Sequence, residues 1–353
     1  MPAEWEPHQS TWLAWPHLRG DWPGKFEPIP WVYTEIVRSL ARHERVNLIV
    51  NDASWEKRAS AVLEKAGTLS GTLADNIRFH RWRTDRVWMR DSGCIFLTPP
   101  ADRADAGLLA LHFQFNAWAK YPNYELDEQV GERMARAAAA RVVRPVSGDH
   151  RVVLEGGSID VNGCGTLVTT EECLLSTTQQ RNPPMDRAAY EQLFADYFGV
   201  QSVIWLDSGI AGDDTHGHVD DITRFVAPNT VVTMIEQNER NENYAALDAN
   251  LGRLKNARTS DGQKLDIVEI PMPRSVVFEG RLLPASYANF YIANGVVLVP
   301  VFNDPNDRIA LNTLAEVFPT REIVPIYCGD LIWGFGALHC MTQQQPVKPV
   351  AGT

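Results

Sequence analysis

Five short runs hold the residue types that hydrolytic chemistry needs: WMRD (88–91), LEGG (154–157), HGHVDD (216–221), PASYANF (284–290) and ALHC (337–340). Cys340 is a candidate nucleophile, because a thiolate attacks electrophilic carbon and forms most readily beside a positive charge. His339 precedes it, but neighbours on a strand face opposite sides, so the partner is expected from elsewhere, and His218 is the candidate. HGHVDD supports two readings. An H-x-H-x-D run can ligate zinc; alternatively His218 is an acid/base group with Asp220 on the same strand face two residues on. His8, His17, His43, His80, His112 and His150 have no context suited to completing a metal set, which favours acid/base chemistry.

Asp91 closes an aromatic-rich strand, VWMRD, where an ion pair with Arg90 is the plain alternative to function. Glu155 precedes two glycines that allow a tight turn, where a solvated carboxylate is the alternative. Singly, none of these residues decides anything. As a set, Asp91, Glu155, Asp220, His218 and Cys340 make a negative pocket with a nucleophile. A guanidinium fits it, since paired carboxylates match that planar, permanently charged fork of N–H donors.

The elements that must position these residues repeat one plan. SIDVNGCGTLVTTEECLL (158–175), ITRFVAPNTVVTMIEQNE (222–239) and ANFYIANGVVLVPVFNDPND (288–307) each read as strand, turn and strand. Helical patterns follow at 185–199 and 308–318, and short apolar strands at 202–206, 266–271 and 322–327. A helix at 31–43 and a strand at 46–50 give a similar order near the start. The reactive runs stand at or just ahead of the hairpins, roughly 50 to 70 residues apart, a repeat length suited to a closed ring of units. Equivalent positions facing one axis would bring the five runs together.

Bulk properties bound the rest. With 353 residues, 44% hydrophobic and 22% charged, the chain reads as a globular α/β protein with a large core. A net charge of −11 argues against nucleic-acid binding. No stretch reads as a signal peptide or membrane span. Five scattered cysteines suggest free thiols and a cytoplasmic setting.

The motif series AEWEPHQSTWLAWP (3–16), WMRDSG (88–93), LEGGSIDVNGCGTLVTT (154–170), RNP (181–183), DDTHGHVDD (213–221), SYANFYIANG (286–295), FNDPND (302–307) and LHCMTQQQP (338–346) runs nearly end to end. It resembles the agmatine deiminase family, within the guanidine-modifying enzymes of the pentein fold. The resemblance implies a five-bladed α/β propeller forming a single catalytic domain over 1–353. It implies hydrolysis of agmatine to N-carbamoylputrescine and ammonia through a cysteine S-alkylthiouronium, with no cofactor or metal, in a cytoplasmic homodimer. Cys340 then matches the nucleophile, His218 the acid/base, Asp220 and Asp91 the guanidinium carboxylates, and Glu155 the group orienting the histidine. Trp88 would line the channel for the alkyl chain, and Asp214, with Asp213 close behind, would meet the distal amine. Cys94 stands where the family usually has proline, which predicts a less rigid loop after Asp91. Two rival activities remain: a peptidylarginine deiminase with the same core, and a zinc amidohydrolase built on HGHVDD. A non-catalytic binder of polyamine-like cations is a third.

Overall fold

The computed structural model describes residues 1–99, 103, 106–183 and 185–348, so positions 349–353 of the expected domain lie outside the described residues. It is a mixed α/β fold in which one arrangement recurs. Three hairpins, Ile95–Leu97 with Leu109–Leu111, Thr223–Ala227 with Thr230–Ile235, and Tyr291–Ala293 with Val296–Val301, each gain a parallel third strand. Those third strands are Arg141–Val143, Asp266–Pro271 and Glu322–Tyr327. Asp160–Val161 and Thr166–Thr170 do the same with Ser202–Leu206. Between second and third strands lie the helices Val130–Ala137, Arg187–Phe198, Tyr244–Asn256 and Asp307–Val317, as parallel pairing requires a crossover.

A fifth sheet follows the same plan with strands from both ends of the chain. His8–Ala14 runs parallel to Arg45–Val50 across the helix Ile29–Ala41, while its antiparallel neighbour is Gln343–Pro346. The Trp12 indole and the Ser10 hydroxyl both donate to Gln345 Oε1, tying that closing strand in place. Ile77–Arg81 then extends the sheet beyond the helix Ala53–Lys65.

Local chemistry sets these boundaries. Asp186 accepts from the Ala189 N–H to start its helix, and Gly199 ends it in the left-handed conformation (φ 71°). The central strands bury nearly every side chain, so they read as continuous apolar runs. Among the described residues, no helix is long and apolar enough to cross a membrane.

Ahead of each hairpin the chain makes one short helical turn: Met89–Ser92, Gly156–Ser158, Val219–Asp221, Tyr287–Asn289 and Leu338–Met341. Each packs on the next and the last on the first, so the five turns close a ring. This corrects the expectation that Asp91, Asp220 and Cys340 sit on strands. Their backbone groups bond inside the turns, Ser92 N–H to Trp88 O and Thr342 N–H to His339 O, which leaves no ladder to extend. Consecutive residues on a turn do not face opposite ways, so His339 and Cys340 can address the same neighbour.

Candidate active site

The ring of turns encloses the polar cluster. Asp91 is buried on the first turn; its Oδ2 accepts from the Trp118 indole at 2.9 Å and its Oδ1 from the Gly157 N–H at 3.1 Å. Arg90 takes no part in pairing Asp91, since its guanidinium reaches Glu4 Oε2 at 3.1 Å instead. Burial pushes the Asp91 carboxyl up to about 6, the charges of Asp220 and Glu155 adding to that and His218 opposing it.

Glu155 is not a solvated carboxylate. It is fully buried, its Oε1 accepts from Arg181 Nε at 3.1 Å, and its Oε2 lies 3.9 Å from His218 Nε2. Burial raises its pKa, but the Arg181 charge and the His218 interaction outweigh that and hold it at about 2.

His218 enters the cluster ahead of the third turn, its Nδ1 4.0 Å from Asp91 Oδ1 and 3.9 Å from Asp220 Oδ1. Burial disfavours the imidazolium, yet Asp91, Cys173 and Glu155 together hold its pKa well above the ordinary value. Gly157 makes this convergence sterically possible: a Cβ there would stand 2.5 Å from His218 Nδ1 and about 3 Å from the carboxylates of Asp220 and Asp91.

Asp220 is fully buried; its Oδ2 accepts from His339 Nδ1 at 2.7 Å and lies 3.6 Å from Cys340 Sγ. Burial pushes Asp220 up, but the His339 hydrogen bond and charge, with His218 and Arg224, bring it below the usual aspartate range. On the last turn, the Cys340 thiol receives the Asn289 amide at 3.1 Å. Burial, then Asp220, Asp221 and Asp91, push that thiol well above its normal value, so it is protonated when the site is empty.

A cavity of about 310 Å³ opens onto this cluster, lined among others by Trp88, Asp91, Trp118, Asp214, Trp333 and Cys340. Asp214 lines it but already accepts from Lys120 Nζ and the Tyr121 hydroxyl, both at 2.6 Å. Asp213 does not line it. That corrects its expected substrate contact: its carboxylate accepts from the backbone N–H groups of Thr215, Gly217 and His218, fixing the loop that delivers the histidine.

The zinc reading of HGHVDD does not match the geometry. His216 turns away, its Nε2 to Ser176 Oγ and its Nδ1 3.6 Å from Glu172. Among the described residues, the trio spaced to hold a metal ion is instead Glu155, Cys173 and His218, whose donor atoms lie within 4.8 Å of one another. Sequence reasoning gave Cys173 no role and missed Arg181, Asn289, Trp118 and His339 as parts of the cluster. Arg181 and Asn289 stood in the quoted runs RNP and SYANFYIANG, the one signal available for them. Cys94 is fully buried, and its carbonyl accepts from the Gln343 amide at 2.9 Å.

The sequence profile of the Porphyromonas-type peptidyl-arginine deiminases matches residues 1–346. The chain belongs to that family. Its relatives include the agmatine deiminase of Pseudomonas aeruginosa (strain LESB58), 34% identical over 98% of this chain and 95% of that one. Among solved structures, the agmatine deiminase of Enterococcus faecalis superposes with a TM-score of 0.89 at 28% identity, covering 99% of this chain and 96% of the other. A cysteine-to-serine variant of the C. jejuni agmatine deiminase with substrate bound matches with a TM-score of 0.84 at 29% identity, over 99% and 96% of the chains. Relatives of this chain thus include proteins named for action on agmatine, and its mixed α/β fold is shared with them.

Proposed function

We propose that this member of the family is an agmatine deiminase, a hydrolase of the amidine carbon–nitrogen bond, acting through Cys340. The observation that carries the reading is one cavity bordered by a buried thiol and the Asp91 carboxylate, with Asp220, His218 and Glu155 immediately behind. Asp91 and Asp220 would hold the guanidinium from two sides, presenting its central carbon to the sulfur. The cation itself supplies the positive charge that the empty site lacks. As it binds, the thiol loses its proton to solvent and the thiolate adds to that carbon, the C=N electron pair moving onto nitrogen.

His218, held as imidazolium by its acidic neighbours, protonates the leaving nitrogen, and ammonia departs to leave an S-alkylthiouronium. The now neutral imidazole takes a proton from water; hydroxide adds to the same carbon, and collapse expels the thiolate while the added hydroxyl gives its proton to solvent, releasing N-carbamoylputrescine. Glu155, fixed by Arg181, orients the imidazole and favours its charged form.

The lining supports a decarboxylated guanidine over free arginine. Among the described residues, the cations of the cavity wall each face an acid, Arg86 with Asp21 at 3.7 Å and Arg281 with Asp214 at 3.5 Å. The acid opposite each weakens its pull on an α-carboxylate. Trp88 and Trp118 give the alkyl chain an apolar wall, and Asp214 remains the acidic candidate for the distal amine.

The proposal extends to architecture. Five sheets of one plan, with their turns closing a ring, support a five-bladed α/β propeller that forms a single catalytic domain over 1–353. Its cysteines are all unpaired, which supports a reducing compartment such as the cytoplasm. The family resemblance adds a homodimer, which sedimentation of the purified chain distinguishes from a monomer.

The deciding experiment is ammonia release from agmatine, free arginine and a peptidyl-arginine substrate. Agmatine should be preferred. Cys340→Ala should abolish turnover yet still bind agmatine, and full activity in that variant would overturn the mechanism. Activity that falls on chelation and returns with zinc would favour a metal centre on Glu155, Cys173 and His218 instead.

A further inference from the structure

Glu4 and His339 take no step in the proposed reaction, yet they stand directly behind Asp220. Glu4 is buried beside two guanidiniums and an imidazole: Oε1 accepts from Arg224 at 2.9 Å and Oε2 from Arg90 at 3.1 Å, while His339 Nε2 lies 2.8 Å from Oε2. The other ring nitrogen of His339 meets Asp220 Oδ2 at 2.7 Å. Both nitrogens therefore face carboxylate oxygens.

A neutral imidazole has a single N–H to donate. Two such contacts need either an imidazolium or a protonated carboxyl. Glu4 already accepts from two guanidiniums, which can only donate, so the ring must donate to it from Nε2. Asp220 Oδ2 also lies in reach of the Cys340 thiol as its acceptor, which leaves Nδ1 as the donor on the other side.

A second observation gives the arrangement a purpose. Among the described residues, Asp220 Oδ1 is buried with no hydrogen-bond partner, His218 Nδ1 standing 3.9 Å away, while Oδ2 meets His339 Nδ1 and the Cys340 thiol. One oxygen is anchored and the other keeps an unused acceptor position.

We propose that Glu4 and His339 are positioning residues: an imidazolium anchored by Glu4 holds Asp220 as an anion with Oδ1 turned to the guanidinium. This rests on the deiminase reading of the site. Other charges also face Asp220. His218 and Asp221 come from its own segment, Arg224 from the following strand, Asp91 from the first turn, and the Cys340 thiol from the last. Arg224 is itself bound to Glu4 and Asp160, so His339 is the cation in direct hydrogen bond with Asp220. The N-terminal segment thereby helps set the charge of the site through a Glu4–His339 pair that spans 335 positions.

The test is the pH profile of kcat/KM for agmatine in the full chain. His339→Asn keeps an amide donor near the Nδ1 position without the charge. It should move the acid limb to higher pH and lower kcat/KM on that limb by roughly ten- to a hundredfold, the worth of a charged hydrogen bond, with recovery as pH rises. Glu4→Gln should shift the limb in the same direction. A folded variant of either kind with the wild-type acid limb would overturn the proposal.

Should both variants misfold, the wild-type protein still decides. Histidine-selective ¹⁵N NMR at neutral pH should show the His339 ring with both nitrogens protonated, and a single neutral tautomer there would overturn it. An inactive wild-type enzyme with this imidazolium intact would count against the deiminase reading alone.

Discussion

At the scale of single residues, the cluster assigns opposite electrostatic tasks to chemically similar groups. Asp91, with burial its largest influence, is pushed up to about 6, whereas Glu155, facing Arg181, is held at about 2. Catalysis needs Asp91 ionised, so kcat/KM for agmatine should fall as pH drops through about 6, and Asp91→Asn should remove most of the activity and move the remaining limb down to the range set by Asp220. Glu155 behaves differently. Its folded value lies below the ordinary 4.5, so its contribution to stability is full above that pH and is lost as pH falls towards about 2. Glu155→Gln leaves Arg181 buried without its anion, at a cost of about 3–5 kcal/mol. Its urea-unfolding free energy should therefore be lower at neutral pH and flatter between those two values. Cysteine, histidine and the three acids were legible as residue types. What sequence could not supply was their environment: Glu155 is fully buried and Arg90 points to Glu4, neither of which local spacing encodes.

At the scale of elements, the third strands were legible from short β-branched and aromatic runs bounded by turn signals; 202–206, 266–271 and 322–327 coincide with observed strands, all of them at sheet edges and partly exposed. The reactive turns were misread as strands because three or four residues carry no period, and their conformation is set by packing on neighbouring turns. The sheet of Ile95–Leu97, Leu109–Leu111 and Arg141–Val143 escaped notice for the same reason, each strand being three residues long. Gly157 shows what such close packing demands. Gly157→Ala should reduce kcat on the order of a hundredfold by displacing His218, Asp220 or Asp91, the effect expected of a misplacement near 1 Å. Gly252 in the helix Tyr244–Asn256 is the contrast, with open space where a Cβ would go. Gly252→Ala should stabilise the protein by about 0.5–1 kcal/mol in chemical denaturation and leave kcat unchanged.

At the scale of the whole molecule, function depends on closure. The first sheet is incomplete until Gln343–Pro346 pairs with His8–Ala14, and the last turn, with Cys340, lies just before that strand. Deleting 343–353 should abolish activity and lower the melting temperature in calorimetry by many degrees; a truncated chain with normal turnover would contradict the closed ring. The intact protein should unfold in one transition that coincides with loss of activity, as expected if the ring is one cooperative body. Repetition was visible in the sequence, but pairing between the two ends was not, since QQQP has no strand pattern of its own.

That closure also orders events in time. A ribosome makes Glu4, Arg90 and Arg224 long before His339, yet the folded protein buries all four together. Until the last turn emerges, the nascent chain carries an unfinished charge network and a half-paired sheet, and contacts this distant in sequence form slowly. The growing polypeptide therefore has no early catalytic form, and its competence should appear in a single late step once the last turn and its closing strand have emerged.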